Sequence, residues 1–246
     1  MIDYNNYQTT KKEQIRYFIQ GILIGTGLGV LFYSNVLGIL LLIPYAFIHV
    51  HSKKKQLVEK RKWQLNLEFR DGLASLSAAL NAGYSVENAF SQAVTDLKLL
   101  YSPDALIVKE FEGIVNKLDM NRPVEDTLSD FAERSGLDDI KNFAEVFITA
   151  KRTGGDIIKI IRNTGNTISD KIEVRREIVT LISGKKLEAD IMSLIPIGII
   201  LYLRFFSSGF LSPLYHNPFG FLFMSAVLTL YYGVYQLTQK IISIQV

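Results

Sequence analysis

Apolar and polar positions divide the chain into three zones. From Tyr17 to Val50 there is no Asp, Glu, Lys or Arg, and from Ile191 to Gln239 there is only Arg204. A charge at the centre of a bilayer costs about 2.5–3.5 kcal/mol on insertion scales, so runs this long read as membrane spans. Between them lies a charge-rich segment whose apolar residues recur at helical spacing, with almost no strand alternation. The pattern predicts an all-α integral membrane protein: a soluble bundle of six helices held by hydrophobic segments on both sides.

The punctuation of the middle zone sets its helices. Trp63 to Asn81 carries Leu65, Phe69, Leu73, Leu76 and Leu80 at three- and four-residue steps, and Gly83 ends it. Ser85 is an N-cap for a second helix from Val86 to about Leu97. Ser102-Pro103 opens a third, running to about Leu118, with proline at the first position. Pro123 opens a fourth that stops at Ser135-Gly136, and Asp138 opens a fifth that ends at Thr153-Gly154-Gly155. Asp156 caps a sixth, whose stripe of Ile157, Ile161, Ile168, Ile172, Val179 and Ile182 meets no convincing breaker before the next oily block, although Gly165 and Gly184 weaken it. This helix is expected to run from the bundle into the membrane as a stiff connection. The turn glycines Gly83, Gly136, Gly154 and Gly155 are expected at helix termini with positive φ.

The block from Phe18 to Val50 would be about 50 Å long as one helix, against a hydrocarbon core of about 30 Å. Lys11, Lys12 and Arg16 precede it, and Lys53, Lys54, Lys55, Lys60, Arg61 and Lys62 follow it. Positive flanks favour the cytoplasm, and Ser34-Asn35 supplies a turn, so a hairpin of two short helices fits; a single tilted helix is the alternative. The C-terminal block reads as a span to Phe206, an uncharged outer loop and a returning span, giving about four spans. The resulting organisation is a cytoplasmic N-terminal tail (1–16), a transmembrane hairpin (17–50), a basic juxtamembrane segment (51–62), a cytoplasmic helical domain (63–187), a membrane helix (188–206), an outer loop (207–218), a membrane helix (219–238) and a cytoplasmic tail (239–246). The location is the cell membrane, multi-pass, with the central domain in the cytoplasm.

Charge and composition exclude several functions. Trp63 to Leu187 holds 16 Lys and Arg against 19 Asp and Glu, so no basic face is available for nucleic acid; the juxtamembrane lysines read as topology signal and lipid contact. With no cysteine, disulfides, thiolate zinc sites and thiol catalysis are ruled out. His49 and His51 lack acidic or histidine partners nearby, and His216 stands alone, so no metal site is expected. GTGLG at Gly25–Gly29 imitates a nucleotide loop but lies inside an oily helix with no preceding strand. Gly21, Gly25 and Gly29 at four-residue spacing form instead a small-residue face for helix packing. Arg204, near the end of its span, can reach the headgroups; Pro44 and Pro196 are expected to kink their helices. GGDI at Gly154–Ile157 sits between helices, where Gly-Gly is a turn and Asp156 a cap. Glu125-Asp126 and Asp138-Asp139 fall in first helical turns, where acids complement the dipole. No catalytic, cofactor-binding or metal-ligating residue is assigned, and no enzyme activity or cofactor is expected.

The string LNAGYSVENAFSQAV (Leu80 to Val94) resembles the first half of the type II secretion system F domain, and RSGLDDIKNFAEVFITAKRTGGDIIKII (Arg134 to Ile161) its second half. The resemblance covers roughly Leu65 to Ile200, with matching motif positions at Gly83, Arg152, Gly154, Gly155 and Asp156. It implies a six-helix cytoplasmic bundle before a membrane span, in an inner-membrane platform protein of secretion or type IV pilus machinery. One copy of the domain between paired spans is similar to the short platform proteins of the tight-adherence (Tad, Flp) pilus. The family implies partners: a cytoplasmic hexameric ATPase, a second F-domain paralogue, pilin subunits, and a homo- or hetero-oligomer, besides membrane lipids and without nucleic acid. Lys151, Arg152 and Asp156, next to a turn, are the expected partner contacts. The competing reading is a membrane-anchored signalling or sensor protein that relays a conformational change through its long helix.

Overall fold

In the computed structural model the described residues are 4–5, 11–33, 36–207, 209–215 and 217–242, with side chains at all of these except 11, 36–41, 43–49 and 52. Every element among them is a helix: α1 (Lys11–Tyr33), α2 (Val36–Asn81), α3 (Val86–Leu100), α4 (Leu106–Asp119), α5 (Val124–Ser135), α6 (Asp138–Thr153), α7 (Ile157–Phe206), α8 (Ser212–Tyr215) and α9 (Pro218–Ile242). The chain forms two compact units, one of Met1–Gln8 with Lys54–Val174, the other of Thr9–Lys53 with Arg175–Val246. Both α2 and α7 run unbroken through a unit boundary.

The first unit is the expected six-helix bundle, made by the end of α2, α3 to α6, and the start of α7. Leu65, Phe69, Leu73 and Leu76 of α2 are buried at its centre, with Phe111, Phe131, Phe143 and Phe147 around them. Phe69 meets Phe131 and Phe143 edge-on, with centroids 6.0 and 5.5 Å apart, the geometry that aromatic quadrupoles favour. Gly72 makes room for α4: a Cβ there would lie 2.9 Å from Phe111 Cζ and 3.3 Å from Ile107 Cγ1. Ser85 accepts the Asn88 amide at 3.3 Å and Asp156 accepts that of Lys159 at 2.9 Å, so both serve as N-caps. Pro103 does not open α4. The helix starts at Leu106, where the buried Glu68 carboxylate of α2 accepts the Ile107 amide at 3.0 Å and replaces a local cap.

The second unit holds α1, the start of α2, the end of α7, α8 and α9. Among the described residues, three helices are long and apolar enough to cross a membrane: Lys12–Tyr33, Ile157–Phe206 and Pro218–Ile242. The fourth expected span, 36–50, falls mostly on residues whose side chains are outside the description, as do Pro44 and His49; Ser34-Asn35 and His216 are outside it altogether. Gly21, Gly25 and Gly29 are buried on α1, and a Cβ on Gly25 would lie 3.2 Å from the Leu42 carbonyl oxygen of α2. Gly25 lies eight residues before the end of α1 and Leu42 six after the start of α2, so the two stretches run back alongside each other as in a hairpin, which the single tilted helix would not allow.

Side chains in this unit also bond to the backbone of neighbouring helices. Near Pro196 of α7, the Tyr231 hydroxyl of α9 donates to the Ser193 carbonyl at 2.9 Å. The final carbonyls of α1 have no helical partner. Arg204 donates to Val30 O at 2.5 Å and Tyr215 to Leu31 O at 2.8 Å. Arg204 therefore does more than reach for headgroups: it caps a helix C-terminus, where its charge also complements the dipole.

Candidate functional site

Helix polarity in the bundle follows from named contacts. Asn66 of α2 bonds Asp139 of α6 at 3.0 Å, and Phe69 meets Phe143, so α2 and α6 are parallel. Glu68 takes the Ile107 amide while Gly72, four residues on, lies against Phe111, which makes α4 parallel to them as well. The ends of α2, α4 and α6 therefore gather at one end of the bundle, with the starts of α3, α5 and α7. Lys151 and Glu125, 3.2 Å apart, tie the end of α6 to the start of α5 there.

The three loops at this end are built alike. At each, an amide bonds the carbonyl five residues back: Tyr84 to Ala79 at 3.3 Å, Arg122 to Lys117 at 3.0 Å, Gly155 to Ala150 at 2.8 Å. The residue before each amide takes the left-handed region: Gly83 at φ 91°, Asn121 at 59° and Gly154 at 75°. This is the Schellman termination. Gly155 does not have the positive φ expected of it, because Gly154 alone makes the reversal. What restricts Gly155 is space, since a Cβ would lie 3.2 Å from Ala150 Cβ and 3.3 Å from its Cα. Asn121 is the position that sequence reasoning passed over, although asparagine after Met120 is a signal for this turn.

Of the expected partner contacts, Lys151 is half-buried in its pair with Glu125, whose carboxyl is held below its usual value by a backbone hydrogen bond and by Lys151. Arg152 and Asp156 are exposed, as are Gly83, Tyr84, Met120 and Arg122. The end is thus a surface of three rigid turns with Arg152, Arg122, Tyr84 and Met120 projecting from it.

Gly136 lies at the other end, between α5 and α6, at φ 58°. Beside it a polar network crosses the bundle. Arg134 donates to both oxygens of buried Glu110, at 3.0 and 2.7 Å, and to Asp130 at 2.9 Å; Lys117 reaches Asp130 at 2.6 Å. Tyr4 completes it. Its ring is fully buried, its hydroxyl donates to Glu110 at 2.9 Å, and its amide donates to Arg134 O at 3.1 Å. The expected N-terminal tail (1–16) is therefore not a tail: residues 4–5 belong to the bundle and α1 begins at Lys11. Burial and then the Glu110 charge push the Tyr4 phenol well above its ordinary value. At Tyr101, burial and a 2.5 Å bond to Asp71 push the phenol up to about 12.

Burial alone would raise the Asp130 carboxyl, but hydrogen bonds from Lys117 and Arg134 outweigh it and hold the group below the ordinary carboxylate range. A depressed carboxyl stabilises the fold above its unfolded value and loses that contribution as pH falls through the folded one. The stability gap between wild type and Asp130→Asn should therefore be full above about pH 4 and close below it. Trp63, the one tryptophan, packs against the bundle core and gives the fluorescence readout. A gap that stays constant down to acid pH would remove Asp130 from the network.

Comparison with known proteins adds a family and nothing finer. No curated protein and no solved structure matches the chain. The family model described as "Type II secretion system (T2SS), protein F" matches residues 73–203, more than half of the sequence and most of the stretch whose motifs resembled that domain. The match begins within α2, covers α3 to α6 with the left-handed turns at Gly83, Asn121, Gly136 and Gly154, and ends near the close of α7. With an all-helical bundle, three membrane-length helices and this match, the chain belongs to the protein F family of type II secretion systems, the membrane platform proteins of secretion and pilus machinery.

Proposed function

We propose that the chain is the inner-membrane platform of a Tad-type pilus or related secretion machine, coupling a cytoplasmic hexameric ATPase to pilin extraction and assembly. The observation that carries this reading is a single family domain, at 73–203, that follows one hydrophobic block and runs into the next. Larger platform proteins of the family carry two copies. Proteins of this family work as non-enzymatic platforms with secretion ATPases and pilins in general, and this chain is assigned the same role with a second F-domain paralogue beside it. The bundle is placed in the cytoplasm because its flanks are basic. Residues 4–5 and 54–174 share one folded unit, so the segment between them crosses the membrane an even number of times, in keeping with four spans. Helix α7 is unbroken from the bundle to the end of its span, and a displacement of the bundle would travel along it.

The ATPase is proposed to engage the loop end, through Arg152 with Lys151 and Asp156 beside it. Purifying the tagged full-length chain from its native membrane, with mass spectrometry of what accompanies it, is the test. Recovery of a Walker-motif ATPase, a second F-domain protein or pilins supports the platform; a chain recovered alone or with signalling proteins overturns it. Arg152→Glu is expected to leave Trp63-monitored melting unchanged and to reduce ATPase recovery about tenfold, as reversing one contact charge of about 1.4 kcal/mol implies. Unchanged recovery would take Arg152 out of the contact.

A further inference from the structure

Five positions separate Asn5 from the first residue of α1, and yet Tyr4 is as buried as any phenylalanine of the bundle core. Its surroundings come from several elements. Arg61 of α2 lies over the ring at 5.1 Å, within cation–π range. Glu110 of α4 takes the hydroxyl, and Arg134 at the end of α5 takes the amide. Asn5 continues the pattern, accepting from Lys62 at 2.7 Å, while Lys62 also donates to Gly136 O at 3.2 Å. Gly136 has no side chain where Asn5 sits: a Cβ there would lie 3.0 Å from Asn5 Cγ and 2.9 Å from Lys62 Nζ. Ring, hydroxyl, main-chain amide and following carboxamide are each matched, which is how a binding site reads a short peptide rather than how a tail lies on a surface.

We propose that the pocket between Arg61, Lys62, Glu110, Arg134 and Gly136 is a docking site for a tyrosine–asparagine segment, filled in cis by Tyr4-Asn5, and that it works as a clasp holding the start of α1 to the bundle. The segment is not a continuation of any bundle helix, so it orders only on docking, and the clasp opens without unfolding the helices. With it open, the Glu110–Arg134 pair is left with water on one side, and the chain before α1 is no longer held to the bundle. Tension on α1 would be felt first at this pocket. The inference stands whether or not the platform reading does.

The chain lacks cysteine, which gives a clean test in the full-length protein in membranes. Asn5 Cγ occupies roughly the place of a cysteine sulfur, within bridging reach of a Cβ at position 136. Asn5→Cys with Gly136→Cys is expected to form an intramolecular disulfide on mild oxidation, seen as a reducible shift of the monomer band. A covalent dimer would mean that copies exchange segments and would overturn the cis clasp. Absence of any cross-link in protein whose Trp63 signal melts like wild type would overturn the site. A second measurement does not depend on the cysteine pair. In the Asn5→Cys single variant, adding Tyr4→Ala should raise maleimide labelling at position 5 about ten- to a hundredfold, the rise in open population that losing a buried aromatic implies, with Tyr4→Phe in between. Labelling of the Tyr4→Ala protein at the rate of the Asn5→Cys single variant would overturn the clasp.

Discussion

Arg134→Ala is expected to lower the stability of the bundle by about 3–5 kcal/mol, the usual cost of removing one partner from a buried ion pair. The arginine is 17 % exposed and Glu110 4 %. Its fork supplies both oxygens of Glu110 and one of Asp130, and its carbonyl holds Tyr4. Truncation leaves a carboxylate in the core with only a phenol for company, and Asp130 with only Lys117. Burial works against the guanidinium charge, but the bonds to Glu110 and Asp130 more than reverse this and raise its affinity for the proton. Arg134→Lys should recover part of the loss: it restores a charge but not the planar fork that meets two carboxylates at once. Thermal unfolding of the full-length chain, followed at Trp63, reads both variants. A loss under about 1 kcal/mol for Arg134→Ala would mean that the network is hydrated and behaves as an exposed pair.

Much of the bundle was legible because helix spacing and helix ends are local. The α5 and α6 boundaries follow from Gly136, Asp138 and Gly154, and the caps at Ser85 and Asp156 lie where a short polar side chain precedes an apolar run. What was not legible depends on atoms distant in sequence. Pro103 looked like a helix start, but α4 waits for a carboxylate on α2, Glu68, to receive the Ile107 amide. Tyr4 in a polar stretch carries no periodic signal, and Arg61 and Lys62, counted among the juxtamembrane charges, are used instead to hold it and Asn5. Gly72, in the middle of a helical stripe, has no local reason to be glycine; the reason is Phe111. The candidate docking end was half visible: Gly83 and Gly154 announced two turns, while Asn121 shows that a third helix ends the same way.

The second large effect is expected in the membrane unit, from a single methyl group. A Cβ on Gly220, in the first turn of α9, would lie 2.7 Å from Leu214 Cα and 2.8 Å from Leu214 C. These are backbone atoms of α8 and cannot rotate aside, so Gly220→Ala should cost at least the ~1–3 kcal/mol typical of overpacking. Gly233 lies in the same helix with nothing within 4 Å of its missing Cβ. There the same substitution removes a helix-weakening glycine, and Gly233→Ala should be neutral or stabilising by up to about 1 kcal/mol. The damage at Gly220 would not stay local. Tyr215, next to Leu214, caps Leu31 O and lies under Arg204, which caps Val30 O, so displacing α8 strips two carbonyls of α1 of their donors. Heating detergent-solubilised wild type, Gly220→Ala and Gly233→Ala, then measuring the folded fraction by size exclusion, separates the two positions. If Gly220→Ala survives heat as well as Gly233→Ala, α8 does not rest on the start of α9, and the capping of α1 by Arg204 and Tyr215 must be independent of it.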